Sequence, residues 1–161
     1  MLVSNSSTII LIAKIDLLSK FLDTVKNVAI TDIVYEEIIK KDSFENLTIK
    51  KEIESGRINV ESTKRKFYSN TLNQFKLDEG EASTFALYDK RKHKAILTDD
   101  RELIKLCKIN NVPFISAMAV VVKLLSKKII NKNEALEKIE KLQGYGRYSN
   151  DIYNYFRDMV K

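Results

Sequence analysis

Apolar residues along the chain fall into brief runs, separated by longer stretches in which they recur every three or four positions. Leu2-Val3-Ser4, Val28-Ala29-Ile30, Ile58-Asn59-Val60, residues 94–98 and Val112-Pro113-Phe114-Ile115 are short runs with polar flanks, and each predicts a strand. Helical spacing holds over 8–15, 17–25, 32 to about 40, 43–56, 79–91, 100–109, 116–127, 132–142 and 149–160. Asn5-Ser6-Ser7 reads as the turn and cap before the first helix, and Thr31 or Asp32 caps the third. Gly56 stands where a left-handed C-terminal cap is common. Asn131 with Glu134 has the spacing of a capping box. Gly144 and Gly146 are expected to break the chain before the last helix, which carries Ile152, Tyr155, Phe156 and Met159 on one side. Residues 61–70 show no clear period and read as loop or helix.

Short strands alternating with helices predict an α/β fold, a central, mostly parallel sheet with helices on both faces. Right-handed crossovers put every strand-to-helix turn on the same rim of such a sheet, the rim where ligands gather. Asn5, the residues after Ile30 and the pair Asp99-Asp100 are therefore expected near one another. The stretch 77–103, LDEGEASTFALYDKRKHKAILTDDREL, concentrates this pattern, with an acidic turn before a helix and a second one after a strand.

Four acids or near-acids are candidates for chemistry at that rim. On a helical wheel Glu37 falls between Ile33 and Val34 on the apolar arc, whereas Glu36 lies outside it. A carboxylate there is costly unless paired or metal-bound, so a buried salt bridge and a metal ligand both remain open. Glu81 shares a helical face with Phe85 and Tyr88, yet Asp78 and Glu81 also have capping-box spacing. Asp99 with Glu102 has that spacing too, which assigns the cap to Asp99 and leaves Asp100 to spare. Together Asn5, Glu37, Glu81 and Asp100 offer the oxygen ligands that Mg²⁺ or Mn²⁺ prefers.

Composition narrows the alternatives. The 161 residues are 44% hydrophobic and 31% charged, enough for one domain with a proper core, 1–161, and no long disorder. The single Cys107 cannot staple the fold, and no apolar run is long enough to span a bilayer, so a reducing, cytoplasmic setting without membrane contact is expected. His93 lies in the basic run 90–94 and is expected to be solvated, which disfavours a Ser-His-Asp triad. One Cys and one His exclude a structural zinc site. The Gly-rich phosphate loops GxxxxGK[ST] and GxGxxG are absent. The net charge of +6 permits nucleic acid or an acidic protein as partner.

The blocks LVSNSSTIILIAKI, AITDIVYEEI, LDEGEASTFALYD and AILTDDREL, continuing through NNVPFIS, resemble the PIN domain, a small metal-dependent ribonuclease fold that includes VapC-type toxins. The resemblance covers about residues 2–116 and leaves 117–161 as a helical C-terminal extension. The tail GYGRYSNDIYNYF resembles that of a PIN subgroup of predicted nucleic acid-binding proteins in archaea and bacteria. Residue by residue, it places the family's acidic cluster at Asn5, Glu37, Glu81 and Asp100, as metal-binding and catalytic positions. Ser6, Thr98 and Asp99 are then orienting groups. It departs from the family at Asn5, where an aspartate is usual, and at Thr8, where a proline is frequent and no consequence is expected.

What the resemblance implies is a Mg²⁺- or Mn²⁺-dependent endoribonuclease, a candidate toxin held by an antitoxin, acting on RNA as a homodimer. Lys64, Arg65 and Lys66, with Lys90, Arg91 and Lys92, are candidates for the RNA backbone, against the alternative of solvated helix ends. Two competitors stand beside it. Asn5 supports an RNA-binding or assembly module with weak or no cleavage, and the basic stretch 123–132 a DNA-binding regulator.

Overall fold

The computed structural model describes residues 1–146 and 148–161; Arg147, part of the tail motif, lies outside them. Five strands form one all-parallel sheet, namely β1 (Leu2–Ser4), β2 (Val28–Thr31), β3 (Ile58–Glu61), β4 (Ile96–Leu97) and β5 (Phe114–Ile115), in the order β3-β2-β1-β4-β5. Val3 pairs with Ala29 on one side and Ile96 on the other, so β1 is the central strand. The chain steps outward from β1 to β3, then crosses back to lay β4 on the other flank. Connections therefore diverge between β1 and β4, and a parallel sheet opens its ligand crevice at the carboxyl ends of such a strand pair.

Helices cover both faces, as the alternation predicts. Leu97 faces a core shared with α1 (Ser6–Lys14), α2 (Leu18–Thr24), α3 (Asp32–Ile39) and α4 (Phe44–Glu54). The preceding residue, Ile96, points the opposite way, into a core shared with α6 (Glu79–Leu87) and α7 (Arg101–Ile109). A short α5 (Ser69–Gln74) borders this second core through Leu72. The helices after residue 116, α8 (Ala117–Ser126), α9 (Lys132–Tyr145) and α10 (Asn150–Val160), bury Met118, Val121, Leu124, Ile139, Leu142 and Val160 in the first core. Among the described residues no helix is long and apolar enough to cross a membrane.

Local chemistry starts and stops these elements. Asn5, Thr31, Ser116, Asn131 and Ser149 each take extended backbone angles and accept an N–H of the following turn. Gly56 closes α4 at φ +83°, a conformation that costs a side-chain-bearing residue.

Several expectations are corrected. The helix read over 79–91 ends at Leu87, because Asp89 opens a turn that closes on the backbone N–H groups of Lys92 and His93. His93 is consequently not solvated; it is 4% exposed. Gly144 does not break the chain but sits inside α9, and Gly146 alone marks its end. A Cβ on Gly146 would strike the Leu142 carbonyl and the Tyr148 ring, so the break belongs where the ring crosses the backbone. The aperiodic stretch contains the end of β3, a 3₁₀ turn at Arg65–Phe67 and the start of α5. On α10, Phe156 packs inward with Tyr153, while Ile152, Tyr155 and Met159 face solvent.

Candidate active site

The crevice between β1 and β4 is built by three turns. Asn5 leaves β1 and caps α1, its Oδ1 accepting the Thr8 N–H at 3.1 Å. Its Nδ2 donates to Thr98 Oγ1 at 3.1 Å, directly across the strand junction. The same hydroxyl accepts the Asp100 N–H at 3.1 Å, so Thr98 fixes both Asn5 and the start of α7. Asn5 is 2% exposed and presents no charge.

Glu37 reaches the same place from α3. The Ser6 hydroxyl donates to its Oε2 at 2.5 Å. The helical wheel placed Glu37 inward, and it is half-buried with a hydroxyl partner in place of the salt bridge that remained open. Its carboxylate lies on the backbone of Gly80, where a Cβ would collide with Oε1. That contact brings the first turn of α6 against α3. Burial, opposed by Ser6 and reinforced by Asp78, raises the Glu37 pKa above the usual carboxylate range.

Glu81 completes a full capping box. Its backbone N–H donates to Asp78 Oδ1 at 2.7 Å, and its Oε2 accepts the Asp78 N–H at 3.0 Å. The cap does not exhaust the residue. Burial, then the negative charges of Asp78 and Asp100, push its pKa up to about 7, and Glu81 and Asp100 come close enough to share a proton. Two carboxylates held together lose charge unless a cation joins them.

The pair 99–100 reverses the assignment made from spacing. Asp100, not Asp99, caps α7, its Oδ1 accepting the Leu103 N–H at 2.8 Å. Asp99 turns away and takes Thr8 Oγ1–H at 2.8 Å, the Ala117 N–H at 3.2 Å and Tyr148 Oη–H at 2.6 Å. It knots α1, α8 and the tail together, and burial raises its pKa despite these donors. Local spacing fits either acid; residues 18 and 49 positions along the chain decide. Thr8, Tyr148 and Gly80 are the contributors that sequence reasoning missed. A glycine in the first turn of a helix was the one visible sign of close approach.

Of the candidates, Asn5, Ser6, Glu37, Glu81, Thr98 and Asp100 are brought together, and Asp99 sits behind them as an anchor. Arg65 pairs with Glu79 in the first turn of α6, and the Lys66 ammonium lies over the Phe67 ring. Lys90, Arg91 and Lys92 lie past the far end of α6, about 9 Å of helical rise from Glu81. Arg91 there pairs with Asp89. Cys107 is buried, with its thiol pushed up to about 11, and takes no part.

The donor set suits a hard divalent cation, being oxygen only and overcrowded with negative charge. Among the described residues no three His, Cys, Asp or Glu side chains already converge as a ready-made metal cluster. Mg²⁺ needs fewer, since one or two carboxylates and several waters satisfy it. Glu81 and Asp100 fit that requirement, with Glu37 beside them.

No curated protein and no solved structure matches the chain. A family model described as a PIN domain matches residues 1–160, so the match takes in the C-terminal helices as well as the sheet. With its parallel sheet and acidic rim, the chain belongs to the PIN domain family, whose fold is of the nuclease type.

Proposed function

We propose that the protein is a Mg²⁺- or Mn²⁺-dependent endoribonuclease. The observation that carries this reading is the Glu81–Asp100 pair beside Glu37, crowded carboxylates at the sheet's switch point with Glu81 raised to about 7. Glu81, Asp100 and Glu37 would hold the ion, and Asn5 would add a neutral oxygen. A bound ion supplies there an acidified water and charge compensation on a phosphate under in-line attack. The chain's own residues do the positioning. Ser6 orients Glu37, Thr98 aligns Asn5 with Asp100, and Asp99 holds the β4 turn against α1 and α8. Lys64, Arg65 and Lys66 would attract a phosphate backbone without reading sequence.

A second reading is favoured by Asn5. Its oxygen already caps α1 and its nitrogen already serves Thr98, so it contributes hydrogen bonds and no charge. In that case the fold would bind RNA with little cleavage. The nuclease reading extends to a cytoplasmic toxin restrained by an antitoxin and to a homodimer, the latter checked by light scattering on the purified chain.

The test is a labelled structured RNA incubated with and without Mn²⁺, using the protein, Glu81→Ala/Asp100→Ala and Asn5→Asp. Metal-dependent cleavage that vanishes in the double variant supports the nuclease. Cleavage only by Asn5→Asp, with RNA still bound by the natural chain, supports the binding module. Cleavage that persists in the double variant rules the acidic rim out as the catalytic centre.

A further inference from the structure

Asp78 is an exposed acid at the start of α6, and a capping box is the common reason for an acid there. This box differs in its second member. Glu81, the acid at the third helical position, also lies within hydrogen-bond reach of Asp100. One side chain therefore serves a helix end and the acidic rim at once.

The two duties divide between its oxygens. Asp78 N–H donates to Glu81 Oε2 at 3.0 Å, while Asp78 Oδ1 accepts the Glu81 N–H at 2.7 Å. Oε2 is thus committed to the main chain, and Oε1 is the oxygen left for a neighbour. Asp100 is divided in the same way, its Oδ1 taken by the Leu103 N–H at 2.8 Å and its Oδ2 left over. Asp100 is held by its own short side chain. A glutamate has a longer stem, and holding it in one place costs more side-chain entropy. The reciprocal bonds with Asp78 offset that cost before any ligand arrives. The same turn seats Glu37, whose carboxyl group fills the space where a Gly80 Cβ would stand. Asp78 also lies near enough for its charge to act on both glutamates. Residues 78–81 therefore set the spacing between Glu37 and Glu81.

We infer that Asp78 is the positioning residue of the acidic rim, presenting Glu81 to a divalent cation through a single oxygen and fixing its place relative to Glu37. It touches neither the ion nor the RNA. The consequence rests on the metal-dependent nuclease reading, whereas the hold on Glu81 exists without metal. Groups that orient ligands from behind change metal affinity by roughly 10–100-fold when they are lost. The placement of Glu81 carries the effect. The charge of the exposed Asp78 carllboxylate is screened by water and salt and adds little.

Two readouts on the full chain separate the hold from its consequence. In metal-free protein the exchange of the Asp78 amide with deuterated water is followed by NMR. Glu81→Ala removes its acceptor and is expected to speed that exchange by about fivefold or more. Mn²⁺ affinity is then measured by electron paramagnetic resonance for the natural chain, Asp78→Ala and Asp78→Asn, with folding checked by circular dichroism. Asp78→Ala removes the acceptor for the Glu81 N–H and is expected to bind Mn²⁺ about tenfold or more weakly. Asp78→Asn keeps an Oδ1 acceptor without the charge, and is expected to stay within about threefold of the natural chain. A cap that served the helix alone would lower Tm in Asp78→Ala and leave the affinity of the folded chain unchanged. Unchanged amide exchange in Glu81→Ala, natural affinity in Asp78→Ala, or an equal loss in both Asp78 variants would each overturn the assignment. All three leave the nuclease reading standing. No Mn²⁺ bound by the natural chain would contradict that reading, and would overturn the role of Asp78 toward a cation with it.

Discussion

At the scale of single residues, the site depends on carboxylates kept together against their own repulsion. Glu81 has the clearest signature, a pKa near 7 against an ordinary 4.5. A raised acid binds its proton more tightly in the folded chain, so folding takes up a proton between these two values. Its stabilisation is complete below about pH 4.5 and is lost as pH rises through about 7. The metal-free protein should therefore lose about 1–2 kcal/mol between pH 5.5 and 8, allowing for partial exposure. Glu81→Gln should flatten that slope in urea titrations at the two pH values. Because a bound cation favours the charged form, Mn²⁺ should raise Tm more at pH 8 than at pH 5.5.

Gly80 allows a cleaner separation of site from fold. Alanine there first meets the carboxyl end of the Glu37 side chain, so the expected stability change is below about 1 kcal/mol. The Glu37 carboxylate must move, and calorimetric Mn²⁺ titration should show affinity reduced by roughly fivefold or more. Glu37 itself was legible in the sequence, since one turn of a helical wheel puts it among apolar neighbours. The division of labour between Asp99 and Asp100 was not. Both fit the same cap, and the choice is made by Thr8, Ala117 and Tyr148, which local spacing does not see.

At the scale of elements, strand and helix succession was readable wherever apolar periodicity ran undisturbed, and caps at Asn5, Thr31, Asn131 and Gly56 matched their residue chemistry. Failures cluster where a tertiary contact overrides local pattern. The end of α6 is set by the turn that Asp89 and His93 tie, so a basic run that looks like a solvated helix end hides a buried imidazole. Gly144 continues α9 because nothing there demands a glycine, whereas Gly146 makes room for Tyr148. Tyr148 links the segment before α10 to the turn after β4. Removing its hydroxyl with Tyr148→Phe leaves Asp99 with one donor fewer, and should cost about 1–2 kcal/mol in denaturant unfolding. A loss of under about 0.3 kcal/mol would show that the latch is not a stabilising contact.

For the molecule as a whole, an α/β fold with one functional rim followed from alternation and handedness, and all five strands are parallel where a mostly parallel sheet was expected. Strand order was beyond the sequence, because nothing in a parallel strand names its neighbour. Yet the order decides where the crevice opens, by placing β4 against β1 and so Thr98 against Asn5. The C-terminal helices were equally opaque in role. Part of their apolar surface closes the first core, while Ile152, Tyr155 and Met159 of α10 face solvent.

The measurement that bears most directly on the central claim is a Mn²⁺ titration of the purified chain, read by electron paramagnetic resonance, beside Glu81→Ala/Asp100→Ala. One ion bound per chain, lost in the double variant while its circular dichroism stays unchanged, is the result predicted. No binding by the natural chain, or equal binding by both proteins, would contradict the claim that these carboxylates form a metal-dependent catalytic centre.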